Sequence, residues 1–223
     1  MATQPHDVMI TLETVSLPGI LAVPANATGL VIFAHGSGSS RLSPRNNYVA
    51  RVLQDSGIGT LLFDLLTPEE DQEYARRFDI ELLTQRLIQT TQWGQRQPQL
   101  QQLAIGYFGA STGSASALKA AAALGSTIQA VVSRGGRPDL AEEALPHVQA
   151  PTLLIVGGND DVVIGLNQQA YERMTAVKHL AIVPGATHLF EEPGTLEDVA
   201  RLAGDWFQRY LGTTQAGEAR RAA

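Results

Sequence analysis

The sequence predicts an α/β domain: a mostly parallel, twisted sheet of about eight strands, with helices on both faces and little or no cap domain. Short apolar runs recur along the chain, and segments carrying helix start and stop signals separate most of them. Apolar runs of that length suit strands buried on both faces, and alternation with helices makes parallel crossover units the economical connection. Composition agrees, because 44% hydrophobic against 17% charged residues is enough apolar surface for a large core. At 223 residues without a linker-like stretch, one domain over residues 1–211 is expected, with the small and polar residues 212–223 as a flexible tail.

Taken in order, Val8 to Ala25 alternates apolar and polar residues in two runs broken at Leu17-Pro18-Gly19, which predicts a hairpin at the sheet edge. Strands buried on both faces are predicted at Leu30–Ala34, Gly59–Phe63, Ala104–Phe108, Ala130–Val132, Pro151–Val156 and Leu180–Val183. Ser43-Pro44 reads as an N-cap followed by proline at the first helical position, in a helix that stops at Gly57. Helices follow over Ile80–Trp93 and Thr112–Ala123, and a last one after Thr195 carries Val199, Leu202, Trp206, Phe207 and Tyr210. Leu65 to Asp79, with Glu69-Glu70-Asp71 and Arg76-Arg77, is long for a βα connection. It reads either as a lid or as a solvated loop with one helical turn.

A net charge of −6 with scattered lysines and arginines argues against nucleic acid and anionic membranes as partners and leaves small molecules. Cysteine is absent, which excludes disulfides, thiolate metal sites and cysteine nucleophiles. Met1 to Asp7 is polar and no apolar run reaches membrane-spanning length, so a cytoplasmic location is the expectation. The histidines lack metal-ligand spacing and there is no dinucleotide fingerprint, so neither metal nor organic cofactor is expected.

Chemistry concentrates at strand ends. Gly109-Ala110-Ser111-Thr112-Gly113 matches G-x-S-x-G between the run ending at Phe108 and a small-residue helix. A serine on such a strand–turn–helix elbow exposes its hydroxyl, while the helix N-terminus aims its amides at the reacting centre. A plain turn serine capping the helix is the bland alternative. A serine nucleophile needs a base and a group that orients the base. His188 follows Leu180–Val183, and the pair Asp160-Asp161 follows Pro151–Val156. Asp160 is preferred as the orienting acid because it lies closer to the strand end, although an N-cap role suits either aspartate. An oxyanion hole needs two backbone amides. Thr112 offers one and Ser37, in His35-Gly36-Ser37-Gly38-Ser39-Ser40, offers the other. Arg134 and Arg137 follow the strand Ala130–Val132 and are candidates to bind an anionic substrate, or to form ion pairs with acids such as Asp139 or Asp64.

Together these segments resemble the α/β-hydrolase superfamily and, more closely, its dienelactone hydrolase-like branch, over about Val8 to Leu211. The resemblance implies Ser111 as nucleophile, His188 as base and then acid, and Asp160 as its partner, acting on a small ester or lactone. Dienelactone hydrolases use a cysteine nucleophile, a glutamate after the oxyanion-loop histidine and an arginine four residues after the catalytic histidine. This chain has Ser111, Gly36 and Glu192 at those places. The residues also leave open peptide or thioester cleavage, or a non-catalytic receptor on the same fold. The apolar edge near the leading hairpin leaves room for a homodimer.

Overall fold

The computed structural model describes residues 4–212. Its strands are β1 (His6–Thr11), β2 (Ser16–Ala22), β3 (Gly29–Ala34), β4 (Gly59–Phe63), β5 (Ala104–Ala110), β6 (Ile128–Arg134), β7 (Thr152–Gly157) and β8 (Lys178–Val183). They form one sheet in the order β1-β2-β4-β3-β5-β6-β7-β8, antiparallel only at β1/β2 and β2/β4. The helices are α1 (Pro44–Asp55), α2 (Pro68–Gln72), α3 (Ile80–Gln95), α4 (Thr112–Leu124), α5 (Asp161–Arg173) and α6 (Thr195–Leu211).

Side chains alternate across a strand. In β3, Leu30, Ile32 and Ala34 enter the core under α3, α4 and α5, while Val31 and Phe33 enter the core under α1 and α6. Two such cores explain the uninterrupted apolar runs. The start of α1 is as expected, with the Ser43 hydroxyl accepting the Asn46 amide and Pro44 in the first turn. β4 and β5 lie on opposite sides of β3, so the chain reverses direction across the sheet there. The loops after β3 and β5 therefore face each other at the carboxyl edge, where open α/β sheets bind ligands.

Three expectations change. The hairpin turns at Leu12–Val15, where the Leu12 amide donates to the Val15 carbonyl, and Leu17-Pro18-Gly19 lies inside β2. Pairing of β2 with β4 begins at Gly19, so Pro18 precedes that ladder and gives only its carbonyl, to the Asp64 amide. β8 is not buried on both faces: only Val183 is buried and Ile182 is 42% exposed, because the last strand has a neighbour on one side only. Leu65–Asp79 folds into α2 and a 3₁₀ turn at Tyr74–Phe78. Thr67 and Glu70 cap α2 reciprocally, Glu70 also accepts from buried Arg86 of α3 at 2.8 Å, and Arg77 pairs with Asp71. The Glu70–Arg86 bond ties the segment to α3, and the other two contacts lie within it.

Residues 213–223 of the expected tail lie outside the described residues. Among the described residues no helix is long and apolar enough to cross a membrane.

Candidate active site

Ser111 follows β5 directly, with φ 51° and ψ −122°, a backbone conformation that non-glycine residues rarely adopt. Two neighbours hold it there. The Ser111 amide donates to the Arg134 carbonyl at 3.1 Å, and α4 packs so tightly on β3 that a Cβ at Gly113 would come within 2.1 Å of the Ala34 carbonyl oxygen. The Ser111 side chain makes no capping bond to α4, so the capping role considered from sequence is absent.

Asp160 and His188 meet as expected. His188 Nδ1–H donates to Asp160 Oδ2 at 2.7 Å, with the imidazole 39% exposed and the carboxylate 16% exposed. Asp160 occupies the N-cap position of α5 but makes no cap bond; its carboxylate serves the histidine, and Asp161 is the first helical residue. The imidazole also lies beside the backbone just past β6, where a Cβ at Gly135 would sit 3.4 Å from His188 Cε1. Gly135 follows Arg134, whose carbonyl holds the Ser111 amide, so Ser111 and His188 converge on the same end of β6. Among the described residues no hydrogen bond joins Ser111 to His188; such bonds are often long in the absence of substrate.

The loop after β3 reaches Ser111: a Cβ at Gly36 would lie 3.0 Å from Ser111 Cβ. The Ser37 amide donates to Thr112 Oγ1 at 2.9 Å, so its N–H is held by the hydroxyl of the residue after Ser111. Buried His35 anchors this loop from below. Its Nδ1–H donates to the Gly36 carbonyl at 2.9 Å and its Nε2 accepts the Leu65 amide at 3.1 Å, which fixes the neutral tautomer. Burial pulls its pKa below the usual histidine range.

Arg137 and Arg134 part company. Arg137 makes a bidentate pair with Asp139, Nε to Oδ1 at 2.8 Å and Nη2 to Oδ2 at 2.7 Å, the structural role foreseen as its alternative. Arg134 is 7% exposed and its side chain has no hydrogen bond or ion pair among the described residues. Its guanidinium lies over the Phe190 ring, 5.8 Å from the centroid.

Some contributions have no local signal in the sequence. The Glu192 carboxylate accepts the Thr187 amide at 3.1 Å and the Thr187 hydroxyl at 2.6 Å, which fixes the turn bearing His188 and holds Glu192 below the ordinary carboxylate range. Its position four residues after His188 was the available cue. Phe190 is held at φ 54°, and nothing in its neighbours announces that. Among the described residues no group of three or more His, Cys, Asp or Glu side chains is placed to hold a metal ion.

An eight-stranded sheet of this order, with these loops at its carboxyl edge, is the α/β-hydrolase fold. Within that fold the chain belongs to the dienelactone hydrolase family, which it matches over residues 17–214. It is similar to dienelactone hydrolase from Anabaena variabilis, at 56% identity and TM-score 0.92, covering 94% of this chain and 99% of that one. It shares its fold with Est1E from Butyrivibrio proteoclasticus, at 16% identity and TM-score 0.79, covering 91% and 98%. A Mycobacterium tuberculosis protein provisionally named a phosphoribosyl transferase is 58% identical over 206 residues, covering 92% of this chain and 46% of that one. The chain thus spans about half the length of the curated relatives it matches.

Proposed function

We propose that this chain is a serine hydrolase that cleaves a small ester or lactone through an acyl-enzyme on Ser111. The observation that carries the reading is the left-handed elbow at Ser111, with its hydroxyl free of capping and the His188–Asp160 pair on the same end of β6. In this reading His188 Nε2 takes the Ser111 proton as Oγ attacks the substrate carbonyl, and Asp160 holds the Nδ1–H and stabilises the imidazolium. Negative charge on the tetrahedral oxygen draws the amides of Thr112 and Ser37. The Ser37 amide leaves the Thr112 hydroxyl, since a charged oxygen is the stronger acceptor. Collapse expels the alcohol, which receives the proton from His188. Water activated by the same histidine then releases the acid and restores Ser111.

Membership of the dienelactone hydrolase family, and 56% identity to a dienelactone hydrolase, support hydrolysis. The transferase name stays with the longer Mycobacterium chain, more than half of which lies outside the match. A fluorophosphonate tests the proposal. One adduct per chain is expected, mapped to Ser111 by peptide mass spectrometry and lost on heat denaturation beforehand. An adduct elsewhere, or none on folded protein, contradicts it.

A further inference from the structure

A cationic locus lies beside the turn that follows His188. Arg134 ends β6 with its side chain more than nine-tenths buried and without an acidic partner among the described residues. Only its Nε is fully enclosed; the terminal nitrogens, equally unpaired, retain contact with solvent. Arg45, in the first turn of α1, is close enough to repel it, and the two influences on Arg134, burial and then the Arg45 charge, both lower its pKa, to about 10. It remains a cation at neutral pH. Arg45 gives Nη1 to Glu191, a 62% exposed carboxylate, while its own Nε is enclosed and unpaired.

A buried cation without a counter-ion is costly, and a second one beside it adds to the cost. The turn after His188 is strained in the same place: Phe190 takes a left-handed backbone and buries its ring beneath the Arg134 guanidinium. The guanidinium is therefore stacked on the ring of Phe190, which lies two residues after His188, and is left with free donors.

We propose that Arg134 and Arg45 form a binding site for an oxyanion, a carboxylate or a phosphate, carried by the substrate. The substrate role rests on the serine-hydrolase reading above, while the anion site rests on the arginines alone. A neutral group can accept a hydrogen bond from the Arg134 guanidinium but cannot offset its repulsion by Arg45, whereas an oxyanion does both.

The test has two arms, run on wild type, Arg134→Gln and Arg45→Gln after circular dichroism has verified folding. In the first, inorganic phosphate and acetate are titrated separately by calorimetry at an ionic strength held constant with sodium chloride. One of them is expected to bind wild type saturably at one site per chain and to bind both variants about tenfold or more weakly, and its identity separates phosphate from carboxylate. In the second, kcat/KM for mono-p-nitrophenyl succinate is divided by that for p-nitrophenyl butyrate. The ratio is expected to fall about tenfold or more in both variants and to recover partly in Arg134→Lys. No saturable binding of either anion to wild type, or equal binding to wild type and both variants, overturns the site. An unchanged ratio overturns the substrate role. Should Arg134→Gln not fold, Arg45→Gln, on the surface turn of α1, decides both arms. A wild type that hydrolyses neither ester sinks the serine-hydrolase reading, and the titration still decides the anion site.

Discussion

Thr112 Oγ1 accepts the Ser37 amide at 2.9 Å, joining the residue after Ser111 to the loop after β3. The bond separates two roles for that amide, a tether of the loop and a donor to the reacting oxygen. Ser37→Pro removes the N–H and with it both roles, while Thr112→Val removes only the tether. Loss of one oxyanion donor typically costs about 100- to 1,000-fold in kcat. Ser37→Pro is therefore expected to lose about 100-fold or more with its fold intact, and Thr112→Val less than about tenfold. Equal losses in the two variants would assign the amide to tethering alone.

Asp160 stands at a helix N-cap without capping, and its carboxylate goes to His188 instead. Asp160→Asn is expected to lower kcat by about 10,000-fold by orienting the wrong imidazole tautomer, with little change in melting temperature. Asp161→Asn is expected to change kcat less than about threefold, since Asp161 only begins α5. Steady-state kinetics on a p-nitrophenyl ester, paired with thermal melts, check both. A large loss of stability in Asp160→Asn with modest loss of kcat contradicts the assignment.

How far the sequence could be read depends on whether a feature is local. The order Ser111, Asp160, His188 was legible because each residue follows an apolar run that became β5, β7 or β8. The paired buried cores produced those runs directly. Pro18 misled, because proline looks like a strand breaker until the partner strand shows where its missing N–H falls. Bonds such as Ser37 to Thr112, 75 residues apart, and Glu70 to Arg86 across two helices come from approach in space. The same holds for the different fates of Arg134 and Arg137. Both suit ion pairs by type, but Asp139 lies within reach of Arg137 only.

His35 is buried with its Nε2 accepting the Leu65 amide, and burial lowers its pKa from the usual value of 6.5. The unfolded chain therefore binds a proton at that site more readily than the folded one. The resulting stabilisation is fully present above about pH 6.5 and is lost as pH falls below that value towards the folded pKa. Urea unfolding at about pH 7.5 and about pH 5 is expected to show a larger loss for wild type than for His35→Gln. Equal losses would remove His35 from the account of acid sensitivity.

Glu70 caps α2 through Thr67 and pairs with Arg86, whose side chain is 7% exposed. Glu70→Ala leaves that guanidinium without a counter-ion and is expected to cost about 3 kcal/mol, lowering the melting temperature by roughly 6–12 °C for a domain of this size. Amide exchange over residues 67–78 is expected to rise in the variant. A shift under about 2 °C would show that the segment is not pinned by this pair.

The most direct test of the central claim is hydrolysis of a short-chain p-nitrophenyl ester by wild type and Ser111→Ala, followed from the first turnover. The account predicts a burst of p-nitrophenol approaching one equivalent per chain in wild type, then steady turnover, with both abolished in a Ser111→Ala protein that melts like wild type. Undiminished hydrolysis by Ser111→Ala, or no hydrolysis of any such ester by folded wild type, would contradict it.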